Sequence, residues 1–253
     1  MICVVKTIIF PGHYLIRANF LSRVKKNVYN LKMHKKTIKY PTLIKQRTIG
    51  GKLFVLETIR DLDEAIDIIC DLMSEEEKLD PFSEDLCPYF GILWESSEAL
   101  SIYLNNNSHL IKNKKVLELG CGLGLPSLVG SFLGGDVLAS DFHPDVEEYF
   151  LRNCRHSNLD VGYRRLNWRE NLSSVGQFDV VIGSDVLYES KHPKELAEGL
   201  LKFVSPGGVL ILSDPGRAYL QQFINTMNEY GLKEEMSLVN IGSKDIFLLK
   251  YQT

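Results

Sequence analysis

The 253-residue chain predicts an α/β fold, a central mostly parallel sheet with helices on both faces and an antiparallel C-terminal hairpin. Three observations predict it. After Lys114, short apolar runs alternate with stretches at helical spacing. The last two apolar runs are separated by only a short Gly-Ser turn, too short for a parallel crossover. A glycine-rich turn, "ELGCGLG", ends the first core run, as it does where such sheets bind nucleoside ligands.

The elements follow in order. "TIGGKLFVLETI" (residues 48–59) reads as a turn and a strand rich in β-branched and aromatic residues. "DLDEAIDIICDLM" (61–73) has helical apolar spacing, with Asp61 as its N-cap. An acidic, proline-containing link leads to a further helix over 96–104. The core strands are "KVLEL", "DVLAS", "VGYRRL", "FDVVIGS" and "GGVLILS", and between them lie the helices "LPSLVGSFLG", "PDVEEYFLRNCRHS" and "HPKELAEGLLKFV". A helix, "YLQQFINTMNEYG", and the strands "EEMSLVNIG" and "KDIFLLKYQ" complete the chain.

Composition narrows the classes. No apolar run approaches the ~20 residues of a membrane helix, and "ICVVKTIIF" is interrupted by Lys6 without a cleavage site, so a secretory signal is not expected. Five scattered cysteines without CxxC spacing indicate neither a zinc site nor a disulfide framework, and suit a reducing compartment. Residues 1–56 carry twelve Lys or Arg and no acid, whereas 57–253 carry seventeen basic and 32 acidic residues. The basic segment reads as a solvated extension, with Met33 a candidate start; an organelle leader and an acidic-partner patch are the alternatives.

Gly120, Gly122 and Gly124 form GxGxG. The dinucleotide fingerprint would place its third glycine where Leu125 stands, and no Gly-Lys-Ser/Thr follows for a phosphate loop. Glu118 precedes the first glycine by two residues, and Asp141 ends the second strand. An acid at that strand tip can accept hydrogen bonds from both ribose hydroxyls; it could equally cap the helix after it.

"PYFGILWESSEALSIYL", "VLELGCGLGLPSLVG", "RLNW" and "FDVVIGSDVLYE", which span residues 88–189, resemble the seven-strand (class I, Rossmann-like) S-adenosylmethionine-dependent methyltransferases. More narrowly, they are similar to the family 16 non-SET protein lysine methyltransferases. The resemblance implies S-adenosyl-L-methionine as cofactor and a cofactor-binding methyltransferase domain over 111–253, preceded by strand and helix elements over 48–110 that pack on it; the basic N-terminal extension over 1–47 lies outside the resemblance. It implies that Trp94, followed by Glu95 where the family has Asp, covers the cofactor. Glu118, Gly120 and Gly122 would line its methionine end and Asp141 its ribose. Asn167, where relatives often carry Asp, and Trp168 would meet the adenine. Asp185 and Tyr188 form the family's acid-x-x-aromatic motif at the target amine.

Each assignment has a plainer alternative. Trp94 and Trp168 could be core tryptophans, Asp185 could bind the cofactor's ammonium or cap the next helix, and Tyr188 could simply pack. Arg217 in "SDPGR" could read an acidic substrate group or stand solvated at a helix start. The expected activity is N-methylation of a lysine in a protein substrate, by a monomer in the cytoplasm or, if the leader is real, an organelle. Histidine or a small-molecule amine is the alternative acceptor, and a non-catalytic cofactor-fold module the alternative class. No membrane partner is expected, and nucleic acid is disfavoured by the acidic catalytic region.

Overall fold

The structure, a computed structural model, describes residues 8–9, 15–16, 39–72, 87–168 and 175–253. The acidic link expected before residue 88 lies almost wholly outside the described residues. Contacts divide the chain into two units, Met1–Thr42 with Ile59–Tyr89 and Leu43–Thr58 with Phe90–Thr253. In the first, strands β1 (Ile8–Ile9) and β2 (Leu15–Ile16) pair antiparallel. Its helix α1 (Leu62–Leu72) buries Ala65 and Ile69, one turn apart on a single face. Asp61 caps it as expected, since Oδ1 accepts the Glu64 amide at 2.8 Å.

Two strands, β3 (Thr42–Ile49) and β4 (Lys52–Ile59), form a two-stranded sheet of their own. The turn between them is Gly50-Gly51, with φ of 58° and 78°. Two consecutive left-handed positions make the turn that matches strand twist, and only glycine adopts both without strain. From sequence, residues 48–59 read as a turn and a strand and residues 1–47 as extension. β3 instead begins at Thr42, and Lys45 and Arg47 share its less exposed face with Leu43 and Ile49 while Ile44 stands exposed, a pattern that composition alone reads as basic tail.

The second unit holds a seven-stranded sheet in the order β10-β11-β9-β8-β5-β6-β7. Its members are β5 (Lys115–Leu119), β6 (Asp136–Asp141), β7 (Gly162–Arg165), β8 (Phe178–Ser184), β9 (Val204–Asp214), β10 (Glu235–Ile241) and β11 (Lys244–Gln252). Strands β7, β6, β5, β8 and β9 are parallel, while β11 joins β9 and β10 joins β11 antiparallel. The two-residue turn Gly242-Ser243 fixes the last hairpin, pairing Ile241 with Lys244. Both fold expectations hold. β5 and β8 are almost continuously buried, which is why their sequences run apolar instead of alternating.

The helices are α2 (Glu95–Asn106), α3 (Leu125–Phe132), α4 (Val146–His156), α5 (His192–Phe203) and α6 (Leu220–Glu229). From β5 the chain steps through α3 to β6 and through α4 to β7, then returns to the other side of β5 for β8 and β9. The strand order therefore reverses between β5 and β8. In open α/β sheets the crevice outside the carboxyl ends at this switch point is where ligands bind.

One buried amide ties the hairpin to that crevice. Asn153 of α4 accepts the Glu57 amide at 2.7 Å and donates to the Leu123 carbonyl in the glycine turn at 3.1 Å. Ser157, one turn on, accepts the Val55 amide at 3.1 Å. Asn153→Ala leaves a buried N–H and a buried C=O unpaired, so unfolding stability is expected to fall by about 2–4 kcal/mol. Urea denaturation measures it, and a loss well under 1 kcal/mol would refute the stitching role.

Candidate active site

Gly120, Gly122 and Gly124 have φ of 66°, 50° and 81°. The turn they make is stitched to β6, with the Cys121 amide on the Ser140 carbonyl at 2.9 Å and Ser140 Oγ on the Glu118 carbonyl at 2.6 Å. The glycines answer different needs. A Cβ at Gly124 would sit 2.3 Å from the Phe150 ring, so this glycine admits α4 packing. A Cβ at Gly122 would come 3.0 Å from the Phe90 carbonyl oxygen, and one at Gly120 2.8 Å from Val186 Cγ1. Gly120 thus brings the turn after β5 against the loop after β8.

Asp141 ends β6 with both oxygens turned to backbone. Oδ2 accepts the Gly122 amide at 3.0 Å and Oδ1 the His143 amide at 2.9 Å. Burial raises its carboxyl pKa, against the hydrogen bonds from His143, Gly122 and Phe142. The helix-cap alternative fails, since the N-cap position of α4 is Asp145 and the Asp141 oxygens accept amides before that helix begins. Each Asp141 oxygen keeps acceptor capacity after one amide bond.

Glu118 is fully buried. Its Oε2 accepts the Ser127 amide at 3.0 Å and the Ser127 hydroxyl, at the start of α3. Its Oε1 has no hydrogen-bond partner among the described residues. Burial pushes its carboxyl up to about 8, opposed by Ser127. An orphaned buried acceptor beside a glycine turn fits a ligand that brings a donor, such as an ammonium group.

The raised carboxyl has a consequence for stability. The folded state binds a proton that the unfolded chain releases near pH 4.5, so stability is fully present below that pH and is lost as pH rises through about 8. Asp214, pushed up to about 6 chiefly by burial, accounts for the lower part of the window. Glu118→Gln is expected to flatten the fall between about pH 6 and 8, worth on the order of 2 kcal/mol. Denaturation at half-unit pH steps checks this; a wild type equally stable at both ends would overturn it.

Asn167 and Trp168 follow β7, whose continuation is bonded to β6 through the Leu166 amide on the Asp141 carbonyl at 2.9 Å. Trp168 is half-buried and backs onto α5, where a Cβ at Gly199 would lie 3.2 Å from its Cβ. Its ring edge also reaches to 3.9 Å from the Cβ position of Gly120. The tryptophan therefore serves packing and borders the glycine turn at once. Tyr188, 39% exposed, meets the buried His192 edge-on at 4.6 Å, and His192 meets Trp168 edge-on at 5.5 Å.

Asp185 begins the loop after β8 with φ of 58°, a left-handed conformation uncommon outside glycine, asparagine and aspartate. It does not cap α5, whose N-cap is Lys191. Its Oδ1 accepts Arg217 Nε–H at 2.5 Å, and the Arg217 guanidinium carbon lies 6.0 Å from the Trp94 ring centroid. Arg217 is therefore no solvated helix-start residue. Trp94 itself is the N-cap of α2 and half-buried, and Glu95 beside it pairs with Lys244 at 2.7 Å. Contacts thus join Gly120, Gly122, Asp141, Trp168 and Tyr188 around the glycine turn, with Glu118 two residues before it, while Asp185, Arg217 and Trp94 form a second cluster that reaches Gly120 through Val186. Sequence reasoning missed Asp214 and undervalued Arg217; the signal for both was an Asp two residues before Gly216, a turn former after a core strand.

A model of the lysine methyltransferase family matches residues 75–230, the span that carries all of these groups. The chain belongs to this family. As a member of the lysine methyltransferase family it is an S-adenosylmethionine-dependent enzyme, and the glycine turn, Asp141 and the orphaned Glu118 oxygen suit that cofactor. The chain is 29% identical over 187 residues to the electron transfer flavoprotein beta subunit lysine methyltransferase of Xenopus laevis, covering 70% of this chain and 73% of that protein. It is 30% identical over 129 residues to the protein N-lysine methyltransferase METTL21A of Xenopus tropicalis, covering 49% of this chain and 59% of that protein. The magnesium protoporphyrin IX methyltransferase (ChlM) of Synechocystis PCC 6803, solved with bound SAM, superposes with a TM-score of 0.51. That likeness, at 18% identity over 62% of this chain and 78% of the other, concerns the fold.

Proposed function

We propose that this enzyme methylates the ε-amino group of a lysine in a protein substrate. The observation that carries the reading is the position of Asp185, a buried carboxylate at the carboxyl end of β8, across the switch point from the glycine turn. S-adenosylmethionine supplies, when bound, a methyl group activated by its sulfonium. Glu118 Oε1 would accept from its ammonium group and Asp141 from its ribose hydroxyls, with Trp94 and the Asn167-Trp168 pair as walls for the rest.

The acceptor lysine has an ordinary pKa near ~10.4 and must shed a proton before its lone pair can attack. Partial desolvation beside Trp94 and Tyr188 would lower that pKa. Asp185 Oδ2, the oxygen not bound to Arg217 Nε, would hold the amine in line, so that positioning supplies much of the rate. The new N–C bond replaces the S–C bond, and the amine proton passes to solvent. The four described cysteines are free and two are buried, which suits the cytoplasm or another reducing compartment.

Given the Xenopus laevis relative, the electron transfer flavoprotein beta subunit is the first acceptor to test. The enzyme, radiolabelled S-adenosylmethionine and either that subunit or a cell lysate are incubated and separated by gel. Label in a protein band that mass spectrometry places on lysine is the expected result. Label confined to the small-molecule fraction would overturn the reading in favour of a small-amine acceptor.

A further inference from the structure

We infer that Arg217 is a positioning residue for methyl transfer, clamping Asp185 so that one carboxylate oxygen is fixed and the other faces the acceptor amine. The inference rests on the lysine-methyltransferase reading above. The parallel register sets Ser184 beside Ser213, so the loops after β8 and β9 leave the sheet together. The Asp185 amide then donates to the Ser213 carbonyl at 2.9 Å. Asp214, next in β9, uses one oxygen, Oδ1, to accept the amides of both Gly216 and Arg217 at 2.7 Å. Two amides converging on one oxygen fix the tight turn "DPGR" and deliver Arg217 to the side of Asp185.

Here Arg217 Nε–H meets Asp185 Oδ1 at 2.5 Å, with the two side chains 18% and 7% exposed. The guanidinium carbon lies 6.0 Å from the Trp94 ring centroid. Ser213 Oγ also donates to the Ser96 carbonyl at 2.8 Å, tying the β9 tip to the start of α2, which Trp94 caps. Burial lowers the Arg217 pKa, yet the Asp185 and Asp214 carboxylates beside it more than offset this and leave it raised, so the guanidinium keeps its charge. The planar guanidinium directs its Nε–H along one fixed line onto Oδ1, which a rotatable lysine ammonium does not. Removing it would leave Asp185 free to rotate about a left-handed backbone, with the acceptor amine no longer aimed.

The test uses the full chain with electron transfer flavoprotein beta subunit and a cell lysate as acceptor probes. Arg217→Ala is expected to lower kcat about 10- to 100-fold, with S-adenosylmethionine affinity and acceptor KM each changed less than about threefold, a misplacement effect rather than lost binding. Arg217→Lys, which restores charge without the fixed Nε–H, should recover part of the loss. A wild-type Arg Nε–H resonance should be protected from exchange, be missing in Arg217→Lys, and shift in Asp185→Asn; this reads the clamp even if Arg217→Ala folds poorly. Unchanged kcat in Arg217→Ala, a faster rate, or no protected Nε–H overturns the clamp. A wild type that labels no protein lysine overturns the underlying reading and the clamp with it, and is distinguishable because the variants are then moot.

Discussion

Asp141→Ala is expected to weaken S-adenosylmethionine binding by about 100-fold or more, measured by titration calorimetry. Two hydrogen bonds from ribose hydroxyls to a carboxylate contribute about 1.5–3 kcal/mol each, and every 1.4 kcal/mol is tenfold. The same carboxylate also accepts the Gly122 and His143 amides, so the substitution loosens the glycine turn as it removes the ligand contact. Asp141→Asn separates the two effects. Its carbonyl oxygen can keep one amide, while its NH2 faces the other as a second donor. Its affinity should fall between wild type and alanine. Wild-type affinity in Asp141→Ala would remove the ribose assignment.

Asp185→Asn is expected to cut turnover about 100-fold while leaving cofactor affinity nearly unchanged. Asparagine is the informative replacement because it tolerates the φ of 58° and keeps an oxygen for Arg217 Nε–H. What is lost is the carboxylate charge, offered to the acceptor amine and paired with Arg217. Alanine would add backbone strain of about 1–2 kcal/mol at this left-handed position, confusing stability with catalysis. Single-turnover rates with saturating cofactor read the effect directly. A loss of cofactor affinity with unchanged single-turnover rate would instead assign Asp185 to the cofactor's ammonium group.

Much of the site was legible because its signals are local. Glu118, Gly120, Gly122 and Asp141 lie within one strand-turn-helix-strand unit, and the positive φ that the turn demands is written in the glycines themselves. Gly124 shows the limit of that reading. It looks like a third ligand glycine, yet Phe150 fills the space beside it. Trp168 shows another limit, since neither of its two readings excludes the other once its flanks touch both Gly199 and the glycine turn.

The sequence by itself determined the strands and helices after Lys114, because burial on a parallel sheet imposes apolar runs and burial of a helix face imposes its period. It also determined the hairpin at Gly242-Ser243, which is too short to be anything else. Only the tertiary structure decided what Arg217 does. Asp185 and Arg217 stand 32 positions apart, and no periodicity links them. The parallel pairing of β8 with β9 brings their loops to one edge, and burying both charges there leaves each as the other's partner.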